Sequence, residues 1–256
     1  MAKTRVAFFD FACCEGCQLQ VANMGELLLD VLGAVELVEF REVMSERGGD
    51  YDVAVIEGSI TTTHDVERIK AIRKKAKVLI TYGSCATIGG INGMKNNFEL
   101  GDIRKYVYGD KANYFDTIPT RPVHQVVPVD YVVNGCPVYL PEFVKVLKCA
   151  LAGIPYKVPD YAVCVECKLN ENECMYDKKI TCLGPVTKAG CNSWCINHNN
   201  ICYGCRGMVS NPAVNGAKDI LEKYKIPLDW VENKMNMYNK PRELEGTEPD
   251  GKKHTS

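Results

Sequence analysis

Eight of the chain's 14 cysteines fall in one stretch of 42 residues, from Cys164 to Cys205. The stretch has few periodic apolar positions, so burial alone cannot hold it and it needs a staple. Disulfide or metal is decided by redox surroundings. Met1-Ala2-Lys3-Thr4-Arg5-Val6 runs straight into the pattern of a core strand, which leaves no room for a signal peptide or twin-arginine leader. The chain therefore reads as cytoplasmic, where the thiol pool keeps cysteine pairs reduced, hyperthermophile proteins being the exception. Metal ligation is then the expectation for cysteines that cluster at ligand spacing.

The bulk numbers exclude little else. An apolar content of 46% with 25% charged residues is that of a globular chain. A net charge of −1 provides no whole-chain attraction to nucleic acid or an anionic membrane, and no apolar run approaches the roughly 18 to 20 residues of a membrane span. The length of 256 residues allows one large domain, or a medium domain with an appendage.

The first half alternates short apolar runs with helical patterns. Thr4 to Asp10 reads as a buried parallel strand, followed by a cysteine-bearing loop. Leu19, Val21, Leu27, Leu28, Val31 and Leu32 predict a helix broken at Gly33. Val35–Val43 and Asp52–Ile56 predict two further strands, and a helix starts near Thr63 or His64 with Val66, Ile69 and Ile72 on one face. Basic residues at 73–75 suit its C-terminus. Lys77–Tyr82 is the fourth strand, Pro128–Val133 a further short one, and Pro141–Ala152 a helix. Strands separated by helices predict an α/β fold, an open parallel sheet covered on both faces. In such a sheet function gathers in loops past the carboxyl ends of the strands. Here three of those loops hold cysteines.

Cys14-x-x-Cys17, Cys85 and Cys136 form the first set. Two thiolates from one turn and two from separate loops meet the count of four that a 4Fe–4S cubane needs. The alternative, structural zinc, usually takes its ligands from two short knuckles rather than three distant loops. Cys13 reads as a small core residue or a thiol packed beside the site. The second set is Cys164, Cys167, Cys174, Cys182, Cys191, Cys195, Cys202 and Cys205, enough for two cubanes. The spacing permits a sequential or an interleaved division, and two zinc sites are again the alternative. Cys149 reads as a buried core thiol, and His64, His124, His198 and His254 stand too far apart in sequence to pair as ligands. Gly89-Gly90-Ile91-Asn92-Gly93 is glycine-rich but lacks the strand–GxGxxG–helix context of a dinucleotide loop.

Six motifs together resemble one family, the small subunit of nickel–iron hydrogenases. They are Cys14-Glu15-Gly16-Cys17-Gln18-Leu19-Gln20, Glu57-Gly58-Ser59, Gly83-Ser84-Cys85-Ala86, Gly135-Cys136-Pro137, Cys182-Leu183-Gly184-Pro185-Val186-Thr187 and Cys202-Tyr203-Gly204-Cys205-Arg206-Gly207, spanning about residues 5 to 208. The resemblance implies a flavodoxin-like sheet without flavin and a C-terminal, loop-rich iron–sulfur domain. It divides the chain into residues 1–153 with a proximal cluster, 160–210 with two clusters, and a helix and polar tail over 211–256. It assigns Cys14, Cys17, Cys85 and Cys136 to the proximal 4Fe–4S cluster. Cys164, Cys167, Cys174 and Cys182 go to the distal cluster, and Cys191, Cys195, Cys202 and Cys205 to the medial one, which is the sequential division.

Two departures from the membrane-bound respiratory members matter. Cys164 stands where those have histidine, and Cys195 supplies a fourth thiolate where their medial cluster has three irons. The chain is therefore most similar to multimeric soluble types: the sulfhydrogenase or NAD(P)-linked delta subunits and the methanogen small subunits. The implied role is that of an electron relay in a hydrogenase, itself without catalytic residues. It would pass electrons between the nickel–iron site of a large subunit and a flavin-, NAD(P)- or ferredoxin-type partner. Glu15 and Glu57 lie near the proximal site by motif, open to proton movement, docking or helix capping. The complex I subunit that carries the quinone-reducing cluster resembles the first half too, including the adjacent Cys13-Cys14, but lacks the eight-cysteine segment.

Overall fold

A computed structural model of the chain describes residues 3–45, 48–212 and 214–241. Its centre is a five-stranded, all-parallel sheet of β1 (Thr4–Asp10), β2 (Val35–Glu39), β3 (Val53–Glu57), β4 (Val78–Tyr82) and β5 (Tyr131–Val133), in the order β2-β1-β3-β4-β5. This is the flavodoxin order, whose topological switch point lies between β1 and β3.

The strands are apolar because both faces are covered. On one face Val6, Phe8, Val55, Ile80 and Tyr82 pack against α1 (Gly16–Ala22) and α6 (Leu140–Ala152) through Val21, Phe143, Val146 and Leu147. On the other, Ala7, Phe9, Ile56 and Leu79 meet Ile69 and Ile72 of α3 (Thr63–Lys75) and Ala86 of α4 (Gly83–Ile88). Each fully buried aliphatic side chain contributes about 1.5–3 kcal/mol, so the two half-cores fix the sheet and with it the loops at its carboxyl edge. Helix α3 starts where the sequence predicts. Thr62 accepts the Asp65 N–H while Asp65 accepts the Thr62 N–H, a reciprocal cap, and Arg73, Lys74 and Lys75 occupy the last turn.

Two expectations are corrected, and one segment is added that the sequence reading did not describe. The single helix predicted between Leu19 and Gly33 is two, α1 and α2 (Glu26–Ala34), because the chain turns at Asn23–Gly25, where Gly25 has φ 61°; Gly33 lies inside α2. The second strand ends at Glu39, since Val43 N–H turns back to the Phe40 carbonyl. Between β4 and β5 the chain makes an excursion of 3-10 turns over Ile91–Asn97 and Gly109–Tyr114 flanking α5 (Leu100–Tyr108).

The second half has α7 (Val163–Leu169), α8 (Trp194–Asn197), α9 (Val214–Tyr224) and α10 (Leu228–Asn239). Its small core consists of Val163, Met175, Tyr176, Ile196 and Ile201 together with Cys167, Cys182 and Cys202. Cysteines thus make up part of what little core it has. It is joined to the first half by Arg206, fully buried and forked onto the Glu142 carboxylate of α6 at 2.7 and 2.8 Å. The polar tail from residue 242, and with it His254, lies outside the described residues.

Candidate metal centres

The twelve cysteines expected as ligands gather into three groups. The first forms at the carboxyl edge of the sheet, beside the β1/β3 switch point. Cys14 and Cys17 lie in the loop after β1 and the first turn of α1, Cys85 in the first turn of α4, and Cys136 in the turn after β5. Glu57, at the end of β3 and 2% exposed, accepts the N–H groups of Cys17 and Gln18 at 3.1 and 3.0 Å. Its carboxylate therefore caps α1 and seats Cys17; burial raises its pKa against those hydrogen bonds. Glu15, at the left-handed N-cap with φ 60°, pairs instead with Arg41 at 3.3 Å. Ser84 N–H to the Gly135 carbonyl at 2.6 Å ties the Cys85 and Cys136 loops together. A Cβ on Gly83, at φ 84°, would stand 2.6 Å from Cys17 Sγ, and one on Gly90 2.7 Å from Cys85 Sγ. Only hydrogen fits at these positions. The glycine-rich Gly89–Gly93 run is thereby explained as packing against Cys85 and against the ring of Pro241, not as a phosphate loop.

Burial pushes the Cys85 thiol up to about 12, reinforced by Cys136, Cys14 and Glu57, and it pushes Cys17 and Cys136 upward too. Cys13 is half-buried beside Glu57 and Cys85 and is also pushed up by burial. A set of thiols that desolvate one another is costly to ionise unless a cation takes the negative charge.

The second group stands on α7 and the loop after it. Cys164 is raised to about 12 by burial and then by Cys182, Cys167 and Cys174, so the four face one another. A Cβ on Gly184 would lie 3.2 Å from Cys164 Sγ and 3.6 Å from Cys182 Sγ. The third group, Cys191, Cys195, Cys202 and Cys205, lines one cavity with Tyr238 and Cys136. Burial raises Cys205 to about 12, with Cys191 adding to it.

The groups touch in series. The Ser84 hydroxyl, next to Cys85, donates to the Cys205 carbonyl, and Cys136 lines the cavity of the third group, joining the first to the third. The Cys202 amide donates to Cys182 Sγ at 3.2 Å, joining the third to the second. Within each group the thiols share a space, yet among the described residues no three His, Cys, Asp or Glu side chains stand close enough to hold a single metal ion.

Of the other residues singled out in the sequence, Cys149 is half-buried rather than buried, because its position on α6 turns it toward the edge of the core beside Tyr156. His64, His124 and His198 are exposed, His198 stacking on Trp194 with ring centroids 4.4 Å apart. The sequence offered no sign of Tyr238, since nothing in the α10 pattern marks one tyrosine as facing cysteines more than 30 residues earlier.

The class of protein so defined is an α/β chain with a flavodoxin-type sheet, one cysteine group at its switch point and two more beyond it in series. Residues 14–151 match the family model for the NADH ubiquinone oxidoreductase, 20 Kd subunit. Sulfhydrogenase 2 subunit delta of Pyrococcus furiosus is 34% identical over 91% of this chain and 98% of its own length. A subunit of the F420-non-reducing hydrogenase vhu of Methanococcus voltae is 30% identical over 80% of this chain and 82% of its own. Among solved structures, a chain of the NAD+-reducing [NiFe]-hydrogenase in the H2-reduced state superposes with a TM-score of 0.55 at 26% identity, covering 61% of this chain and 96% of that one. The chain belongs to the 20 Kd subunit family and, within it, stands with the small and delta subunits of nickel–iron hydrogenases. The family match stops before Cys164, while both hydrogenase relatives align over 80% or more of the chain. That separates it from the complex I reading, which accounts for the first half alone. Among the described residues no helix is long and apolar enough to cross a membrane.

Proposed function

We propose that this chain is the electron-relay subunit of a cytoplasmic nickel–iron hydrogenase, holding three 4Fe–4S clusters. Cys14, Cys17, Cys85 and Cys136 hold the proximal cluster within residues 1–153. Cys164, Cys167, Cys174 and Cys182 hold the distal cluster, and Cys191, Cys195, Cys202 and Cys205 the medial one, both within 160–210. The remainder, 211–256, is the C-terminal helical segment and polar tail. The observation that carries the reading is the serial contact of the three groups, first to third through the Ser84–Cys205 hydrogen bond and the cavity Cys136 shares with the third group, and third to second through the Cys202 amide. A relay needs closely spaced centres in a line, and these contacts favour that spacing.

The donor sets fit such clusters. Each has four thiols, and Gly83, Gly90 and Gly184 leave no side chain beside the sulfurs. Structural zinc usually draws its ligands from two short knuckles, whereas the first set comes from three separate loops of one sheet edge. Once bound, iron–sulfur clusters supply one-electron steps at potentials set by ligand type, hydrogen bonding and exposure. The protein's part is to position the sulfurs, donate amides to them and exclude water. Cys14 and Cys136 are the exposed members of the first group, as a centre facing the nickel–iron large subunit requires. The distal group would face a flavin-, NAD(P)- or ferredoxin-type partner. All-thiolate ligation, with cysteine at 164, suits a low-potential acceptor.

The test is metal and sulfide analysis of the anaerobically purified complex, with electron paramagnetic resonance after reduction. About twelve irons and twelve sulfides are expected from three cubanes. A colourless protein containing zinc would sink the proposal.

A further inference from the structure

The second half also contains a cavity of about 500 Å³ that no cysteine lines. Lys179, Lys223 and Lys225 line it, all three exposed and, among the described residues, in no salt bridge. Lys223 and Lys225 come from the end of α9 and Lys179 from the turn before Cys182, so two separate segments bring positive charge to one space. Pro227 and Trp230 line it too, which places the N-terminus of α10 there. The first-turn amides of a helix have no partner within it, and Pro227 at the N-cap supplies no side-chain cap. At the end of α9 the Leu221 and Glu222 carbonyls are already taken by the amides of Ile226 and Lys225. Asp229, in the first turn of α10, lies outside the lining. One further donor is buried in the wall. Thr181 is 1% exposed, and its hydroxyl has no hydrogen-bond partner among the described residues. A buried hydroxyl left unpaired is costly, and an anion in the cavity would accept from it.

We propose that this cavity binds a phosphate group, either as inorganic phosphate or as the phosphate of a nucleotide. The lining offers donors of three kinds: helix amides, lysine ammonium groups and the Thr181 hydroxyl. Phosphate presents several acceptor oxygens and negative charge, which suits a helix N-terminus with convergent cations. The same three lysines disfavour a metal cation. Trp230, 54% exposed, offers an aromatic face on which a base can stack. Thr181 directly precedes Cys182, so a bound phosphate places its charge beside the second cysteine group. The site stands on these residues whatever metal the cysteines hold.

Isothermal titration calorimetry of the intact complex, with sodium phosphate and adenosine monophosphate in turn, should show binding that weakens as salt is raised. Lys179→Gln and Lys223→Gln should each weaken it by about tenfold, through loss of one charge-assisted contact. Lys111→Gln, exposed in the 3-10 turn Gly109–Tyr114, is the control and should bind as the wild type does. Thr181→Val removes the hydroxyl at nearly constant shape and should also weaken binding. If that buried change disturbs the fold, the two surface lysine variants still decide. Tighter binding of adenosine monophosphate than of phosphate, with the advantage lost in Trp230→Ala, upholds the site as one for a nucleotide; equal binding upholds it as one for inorganic phosphate. No binding of either probe to the wild-type complex, or wild-type affinity in both lysine variants, would overturn the proposal.

Discussion

Arg206 and Glu142 form a bidentate ion pair with both side chains out of contact with water, 0% and 4% exposed. The guanidinium also donates to the carbonyls of Ala189 and Asn134, and Tyr156 donates to the carboxylate at 2.9 Å. Arg206 follows directly on Cys205, and Glu142 lies on the helix after Cys136. The pair therefore fixes the third cysteine group against the first.

Removing one partner of such a pair strands a buried charge. Glu142→Leu should destabilise the holo-complex by about 3–5 kcal/mol in chemical denaturation. The double variant Glu142→Leu/Arg206→Met should recover part of that loss but not all, because the Ala189 and Asn134 carbonyls lose their donor. Equal losses in single and double variants would show that the charge pair is not the joint.

Cys17→Ser should abolish hydrogen-linked electron transfer, while Cys149→Ser should keep nearly wild-type rates. Cys17 is buried in the first group; Cys149 sits on α6, away from all three. Full turnover in the Cys17 variant, measured as hydrogen-dependent reduction of the physiological acceptor, would contradict the proximal assignment.

Gly83→Ala places a methyl 2.6 Å from Cys17 Sγ at a φ that L-residues rarely adopt. It should remove the proximal cluster selectively, about four of about twelve irons, and leave the signals of the other two. Gly101→Ala, in α5 with nothing within 4 Å, is the control and should leave iron content unchanged while raising stability by up to about 1 kcal/mol.

Iron chelation with an oxidant should open the second half first. Its core is small and includes Cys167, Cys182 and Cys202, whereas the sheet is held by two large apolar clusters. Limited proteolysis of the stripped complex should cut between residues 164 and 205 while the sheet persists. Simultaneous loss of both halves would show that they fold as one unit.

The sheet was legible because a buried parallel strand needs a continuous apolar run, and Thr4–Asp10 carries one through its centre. Cysteines after three strands predicted their meeting at one edge, since strand direction alone brings those loops together. Other features depend on contacts distant in sequence. Nothing local distinguishes Gly25 as a break from Gly33 as a helix residue. The excursion between β4 and β5 lies outside the sequence reading because its 3-10 turns lack a helical period and it leaves Tyr106 of α5 and Tyr114 exposed, at 92% and 84%. Tyr238 was invisible for the same reason: sharing a cavity with Cys136, so far back along the chain, leaves no mark on either neighbourhood.

The order of the groups along the chain sets a timetable for biogenesis. All four sulfurs of the first group precede α6, so the sheet that positions them is synthesised while the second half is still on the ribosome. Helix α10, which brings Tyr238 to the cavity lined by Cys136, is made after all twelve cysteines of the three groups. Until it docks, the cavity of Cys136 and the third group lacks the wall that Tyr238 supplies.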